Sequence, residues 1–141
     1  MKCQLIFYQA RKTGYNESAF QMALRNTPFE ISDISSAGTA KDFGKQLNES
    51  FRNCDLTFIC GGLNSESDEN IGIILSYAIQ NSQIKLSDVR KIKNEIGDDG
   101  YLVRSENGTL IVLPDSPEEI EAMIDKTLLN YLYNVYQICI D

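Results

Sequence analysis

Gly61 and Gly62, followed shortly by Asp68 and Glu69, are residue types that phosphate chemistry uses. A glycine backbone can approach a phosphate closely, and neighbouring carboxylates can hold a divalent cation. Ahead of them, Leu56 to Cys60 is apolar apart from Thr57 and reads as a central strand covered on both faces. Behind them, Ile71, Ile74, Leu75 and Ala78 recur at helical spacing. Leu63, Asn64 and Ser65 therefore sit in a strand-to-helix loop, and the acids lie beside the free backbone amides of a first helical turn. Strand, glycine turn and helix amino end together make a phosphate site. Arg11 and Lys12 follow the first strand and reach the same loop if the two strands are neighbours. Magnesium-assisted phosphoryl or nucleotidyl transfer needs no more than carboxylates, amides and a cation. Each feature also has a plainer explanation. First-turn acids offset the helix dipole by roughly 0.3 to 1 kcal/mol each, a glycine pair makes a tight turn, and loop cations are commonly solvated. The chain has no histidine, which rules out Ser-His and Cys-His nucleophilic pairs and any histidine-ligated zinc.

Alternating strands and helices must position these residues. Cys3 to Tyr8 reads as the first strand, and the helix after it carries the stripe Ala19, Phe20, Ala23 and Leu24, with Asn16 or Ser18 as its cap. Phe29 to Ile34 reads as a partly exposed strand. Thr39 with Asp42 marks the next helix start, and Phe43, Leu47 and Phe51 form its buried face. Asn81 to Asp99 is polar and reads as turns with a short helix near Ser87 to Lys93. Tyr101 to Arg104 and Thr109 to Leu113 form a hairpin across Asn107-Gly108, which places an antiparallel strand in an otherwise parallel sheet. Ser116, Pro117 and Glu119 open one last helix as a capping box, continued by Ile120, Met123, Ile124, Leu128, Tyr131, Leu132 and Val135. The fold expected is α/β: a three-layer α/β/α sandwich on a mostly parallel, mixed sheet.

The 141 residues, 43% hydrophobic, suit a single domain spanning 1–141. A net charge of −7 argues against nucleic acid or an anionic membrane as the main partner. Cys3, Cys54, Cys60 and Cys139 show no CxxC spacing, and Cys3 and Cys60 lie in strand-like runs, so they read as small buried hydrophobes in a reducing compartment. With neither a leader pattern nor a spanning apolar run, the expected location is cytoplasmic. Tyr131, Tyr133 and Tyr136 read either as core packing or as a self-association face of a homo-oligomer.

Three segments together resemble the molybdopterin-binding domain family, shared by molybdenum-cofactor adenylyltransferases and the N-terminal domain of competence-damage-inducible proteins. Cys60-Gly61-Gly62-Leu63-Asn64-Ser65-Glu66-Ser67-Asp68-Glu69 is similar to the family's Thr-Gly-Gly-Leu-Gly-Pro-Thr loop and its acid pair. Asn94-Glu95-Ile96-Gly97-Asp98-Asp99-Gly100 resembles its asparagine and spaced glycines before the hairpin. Leu113-Pro114-Asp115-Ser116-Pro117 is similar to its Leu-Pro-Gly-x-Pro segment, and Asn16 matches a further family asparagine. The resemblance implies a nucleotide- or pterin-phosphate ligand at Gly61, Gly62, Leu63, Asn64, Ser65, Asn94, Gly97, Asp115 and Ser116, joined by Arg11 and Lys12. It implies Mg2+ at Asp68 and Glu69, which would also be the catalytic pair, with Glu69 in place of an aspartate. The departures are specific. Asn64 replaces a loop glycine, Ser65-Glu66 replaces Pro-Thr, and Asp115 replaces the Leu-Pro-Gly glycine, adding bulk and a charge that repels phosphate. Arg11, Lys12 and Thr13 stand in place of an acidic first-loop segment. The resemblance thus leads to a diverged ligand-binding domain, with or without turnover. Its alternatives are a Mg-dependent nucleotidyl transferase or ADP-ribose-type pyrophosphatase, and a flavodoxin-like FMN protein.

Overall fold

The structure, a computed structural model, describes residues 1–63, 71–72, 75, 86–106 and 108–137, with residues 51–53 as backbone only. Strands β1 (Lys2–Tyr8), β2 (Glu30–Ala37), β3 (Leu56–Cys60), β4 (Leu86–Ile92), β5 (Gly100–Ser105) and β6 (Gly108–Leu113) form one sheet in the order β2-β1-β3-β6-β5-β4. β1 pairs in parallel with β2 and β3, and β3 with β6, whereas β5 runs antiparallel to both β6 and β4. One antiparallel strand therefore sits inside a parallel sheet, as the Asn107-Gly108 signal predicts, and separates this sheet from an all-parallel flavodoxin-like one.

Helices α1 (Thr13–Ala23), α2 (Ala40–Asn53), α3 (Pro117–Met123) and α4 (Lys126–Val135) complete the layers. One face of the sheet buries Leu5, Phe7, Phe58 and Ile111 against Phe20, Leu24, Ile120, Leu128 and Leu132 of α1, α3 and α4. The other buries Ile6, Tyr8, Ile59 and Val112 against Phe43 and Leu47 of α2 and against Ile71 and Leu75, which are helical. β3 is buried along its whole length, the consequence of being covered on both sides. Thr39 caps α2 by accepting from the Asp42 amide at 3.2 Å.

Four readings need correction. Where turns and a short helix near Ser87 to Lys93 are expected, Leu86–Ile92 is an edge strand. Its side chains are largely exposed on both faces, so it lacks the alternation that reveals a half-buried strand. The last helix is two. Asp125 accepts from the Leu128 amide at 2.9 Å and caps a new helix, so the apolar stripe continues while the backbone breaks. Ser116 and Glu119 form no capping box, because the Ser116 side chain makes no cap bond and Glu119 is engaged elsewhere. α1 begins at Thr13, and Asn16, read as its cap, is wholly buried inside it. Two of the three C-terminal tyrosines make contacts within the chain: the Tyr133 ring stacks on Phe29 at 5.7 Å, and the hydroxyl of Tyr136, just past α4, donates to the Asp55 carbonyl at 2.6 Å.

Candidate functional site

β1 sends the chain outward to β2 through α1 on one face and back across to β3 through α2 on the other. The carboxyl ends of β1 and β3 thereby flank a crevice, the place where open α/β sheets bind ligands. The loop after β6 opens at the same edge. So does the turn from β4 into β5, because β5 runs the opposite way. The four loops bring Arg11, Lys12, Gly61, Gly62, Leu63, Asn94, Gly97, Asp115 and Ser116 to one end of the sheet. Asn64, Ser65, Asp68 and Glu69 lie outside the described residues.

Asp115 ties the loop after β6 to the loop after β1 and the first turn of α1. Its carboxylate accepts from the backbone amide of Arg11 at 2.7 Å, from that of Lys12 at 3.2 Å and from Asn16 Nδ2 at 2.6 Å. The residue thus caps α1 from about a hundred positions away, placing a negative charge at the positive end of that helix. Beneath it, Asn16 Nδ2 also donates to Cys60 Sγ at 3.4 Å, and the thiol faces the Pro114 carbonyl at 3.6 Å. The amide orientation of Asn16 is fixed by this arrangement, since a flip would set its oxygen against the carboxylate. Asn16 Oδ1 is then left buried without a hydrogen-bond partner among the described residues. Such an orphan costs about 1 to 3 kcal/mol.

Gly61 and Gly62 hold positive φ angles of 109° and 76°. The Gly61 amide donates to the Leu113 carbonyl at 3.0 Å, and the Gly62 carbonyl accepts from Ile71 at 3.1 Å. A Cβ on Gly61 would collide with the Tyr8 carbonyl oxygen, so the glycine is what lets the loop after β3 lie against the end of β1. Asn94 is an organiser of its own turn. Its Nδ2 donates to Glu119 Oε1 at 2.7 Å and to the Asp98 carbonyl at 3.0 Å, and its Oδ1 accepts from Ile96 at 3.0 Å. Glu119 in turn lies where a Cβ on Gly97 would fall, which binds the β4–β5 turn to the first turn of α3.

The sequence reading missed the Asn16–Asp115–Cys60 contact, because its members are separated by up to 99 residues and only the fold joins them. The available signal was an asparagine amid the apolar spacing of α1. A separate cavity of about 280 Å³ lies between β4 and the start of α4, lined by Arg90, Ile92, Leu102 and Tyr131 among others. Arg90 there is already paired with Asp88 at 2.6 Å and set over the Tyr131 ring at 4.9 Å, so its charge is engaged.

Burial, followed by the Asp115 charge, pushes the Cys60 thiol well above its ordinary range, and burial raises Cys3 to about 11. Cys54, less buried, is raised by desolvation and by Asp33. Only the thiolate alkylates, and at pH 8 Cys3 is about one-thousandth thiolate. In a Cys139→Ser background, iodoacetamide should therefore modify Cys54 first, leaving Cys3 and Cys60 untouched until urea unfolds the chain. Peptide mass mapping reads the order, and early labelling of Cys60 would show that the edge opens.

No family model matches the chain, and no curated relative does. Among solved structures, the Mog protein of molybdopterin biosynthesis from Mycobacterium ulcerans superposes with a TM-score of 0.70 at 14% identity, covering 98% of this chain and 99% of that one. The CinA protein of unknown function from Thermoplasma acidophilum gives 0.69 at 16%, covering 95% and 96%. The molybdopterin biosynthesis enzyme MoaB from Thermus thermophilus gives 0.69 at 13%, covering 95% and 92%. At such identities the likeness is one of fold, and this chain has the fold shared by the MoaB, Mog and CinA proteins.

Proposed function

We propose that this chain binds a pterin- or nucleotide-type ligand at the carboxyl edge of β1, β3 and β6, without turnover. The observation that carries this reading is the convergence of the loops after β1, β3 and β6 on the switch point of the sheet. The fold supports it, since two of the similar structures are proteins of molybdopterin biosynthesis. A catalytic reading, Mg-dependent nucleotidyl transfer or pyrophosphate cleavage, would rest on Asp68 and Glu69. Of the carboxylates at the described edge, Asp115 already accepts from three N–H donors and Glu119 from Asn94, which makes both a poor fit to a cation. No step through magnesium follows from the described residues.

Thermal denaturation with pterin, AMP, ATP, ADP-ribose and FMN, each with and without magnesium, tests the proposal. A ligand at a hundred times its dissociation constant stabilises the native state by about 2.7 kcal/mol. The expected result is a rise in Tm with pterin or an adenine compound, and little dependence on magnesium. A magnesium-dependent rise with ATP or ADP-ribose, accompanied by turnover, would replace the binding reading with the enzymatic one. A flat response to every compound would remove both.

A further inference from the structure

We infer that Asp115 is the built-in anion of this edge: its carboxylate fills the cradle formed by the Arg11 and Lys12 amides, so the ligand carries no phosphate at the α1 end. The inference rests on the functional reading above and narrows its ligand class. Two successive backbone amides at a helix amino end, with a side-chain amide beside them, form a receptor for one anionic group. Here that receptor is satisfied from within, at 2.7, 3.2 and 2.6 Å. Pro114 precedes Asp115 and is buried, and the Cys60 thiol faces the Pro114 carbonyl, so the loop delivering the carboxylate is held from below. A group tethered in this way competes at an effective concentration in the millimolar range or above, which free phosphate must exceed. A phosphate that came alongside instead would meet the Asp115 charge at contact distance. The matching ligand end therefore carries no anionic group, as is true of a pterin ring or a nucleoside.

Amide NMR on the wild type, Asp115→Asn and Asp115→Gly separates the possibilities, with inorganic phosphate, a phosphate-free pterin and ADP-ribose as probes. In the wild type, millimolar phosphate should leave the Arg11 and Lys12 amides unmoved. In Asp115→Gly the same amides should titrate saturably, with phosphate affinity raised about tenfold or more. Asp115→Asn, which keeps the side-chain shape, should fall between, and it decides the matter if the glycine variant does not fold. Saturable phosphate shifts at Arg11 and Lys12 in the wild type would overturn the inference, as would a folded variant that gains nothing. Pterin or ADP-ribose shifting Gly61 and Gly97 while Arg11 and Lys12 stay still supports both the functional reading and the inference. ADP-ribose shifts that include Arg11 and Lys12 sink the inference alone. Phosphate gained by the variant, with no organic ligand bound by the wild type, sinks the functional reading alone.

Discussion

Gly61→Ala should lower stability by about 3 to 5 kcal/mol, the sum of a strained backbone and a forced contact. At φ 109° an L side chain is already unfavourable, and its Cβ would stand against the Tyr8 carbonyl, a backbone atom fixed by the β1 pairing. The neighbour cannot swing aside as a flexible side chain would. For a chain of this length the loss corresponds to a fall in Tm of about 10 to 17 °C by circular dichroism. Gly44→Ala is the contrast. That glycine lies within α2 with open space around it, so alanine there should hold or raise stability, by up to about 1 kcal/mol. If Gly61→Ala cost less than about 1 kcal/mol, the loop after β3 would not be held against the end of β1, and the geometry assigned to this edge would be wrong.

Gly61 and Gly62 were legible as a turn that needs glycine, because a strand, two glycines and a helical stripe follow one another within a short stretch. The hairpin at Asn107-Gly108, the buried β3 and the capped start of α2 were legible for the same reason: local chemistry and period agree there. β4 was not, since an edge strand exposed on both faces shows no period. The break at Asp125 hid inside a continuous apolar stripe, because the second helix resumes with nearly the same face inward. Asp115 shows the limit most clearly. Its type and place beside Pro114 could be read as a departure from a glycine-containing pattern, and its charge as hostile to phosphate. That the charge is already spent on Arg11, Lys12 and Asn16 depends on β6 lying two strands from β1, which only the sheet order supplies.

Asn16→Asp should be the most damaging single change to the network itself, and its cost should depend on pH. The substitution replaces the Nδ2 donor that sits 2.6 Å from Asp115 with a second carboxyl in a fully buried position. Two carboxylates that close cannot both ionise without a large penalty, and breaking a buried charged contact costs about 3 to 5 kcal/mol. The introduced carboxyl therefore keeps its proton in the folded chain, which raises its folded pKa above the unfolded value of about 3.9. A raised pKa on an acid means that its contribution is fully present below the unfolded value, is lost as pH rises toward the folded one, and is flat beyond it. Urea denaturation at pH 5, 6 and 7.5 should accordingly show a deficit relative to the wild type that grows with pH. Asn16→Ala removes both the donor and the orphaned Oδ1 and leaves Asp115 on its two backbone amides. It should cost only about 1 to 2 kcal/mol, with no added pH slope. A deficit in Asn16→Asp that stayed constant with pH would mean that Asp115 had left the cradle. It would then be free to leave for a ligand too, whereas a steep slope shows a carboxylate held in place at the amino end of α1.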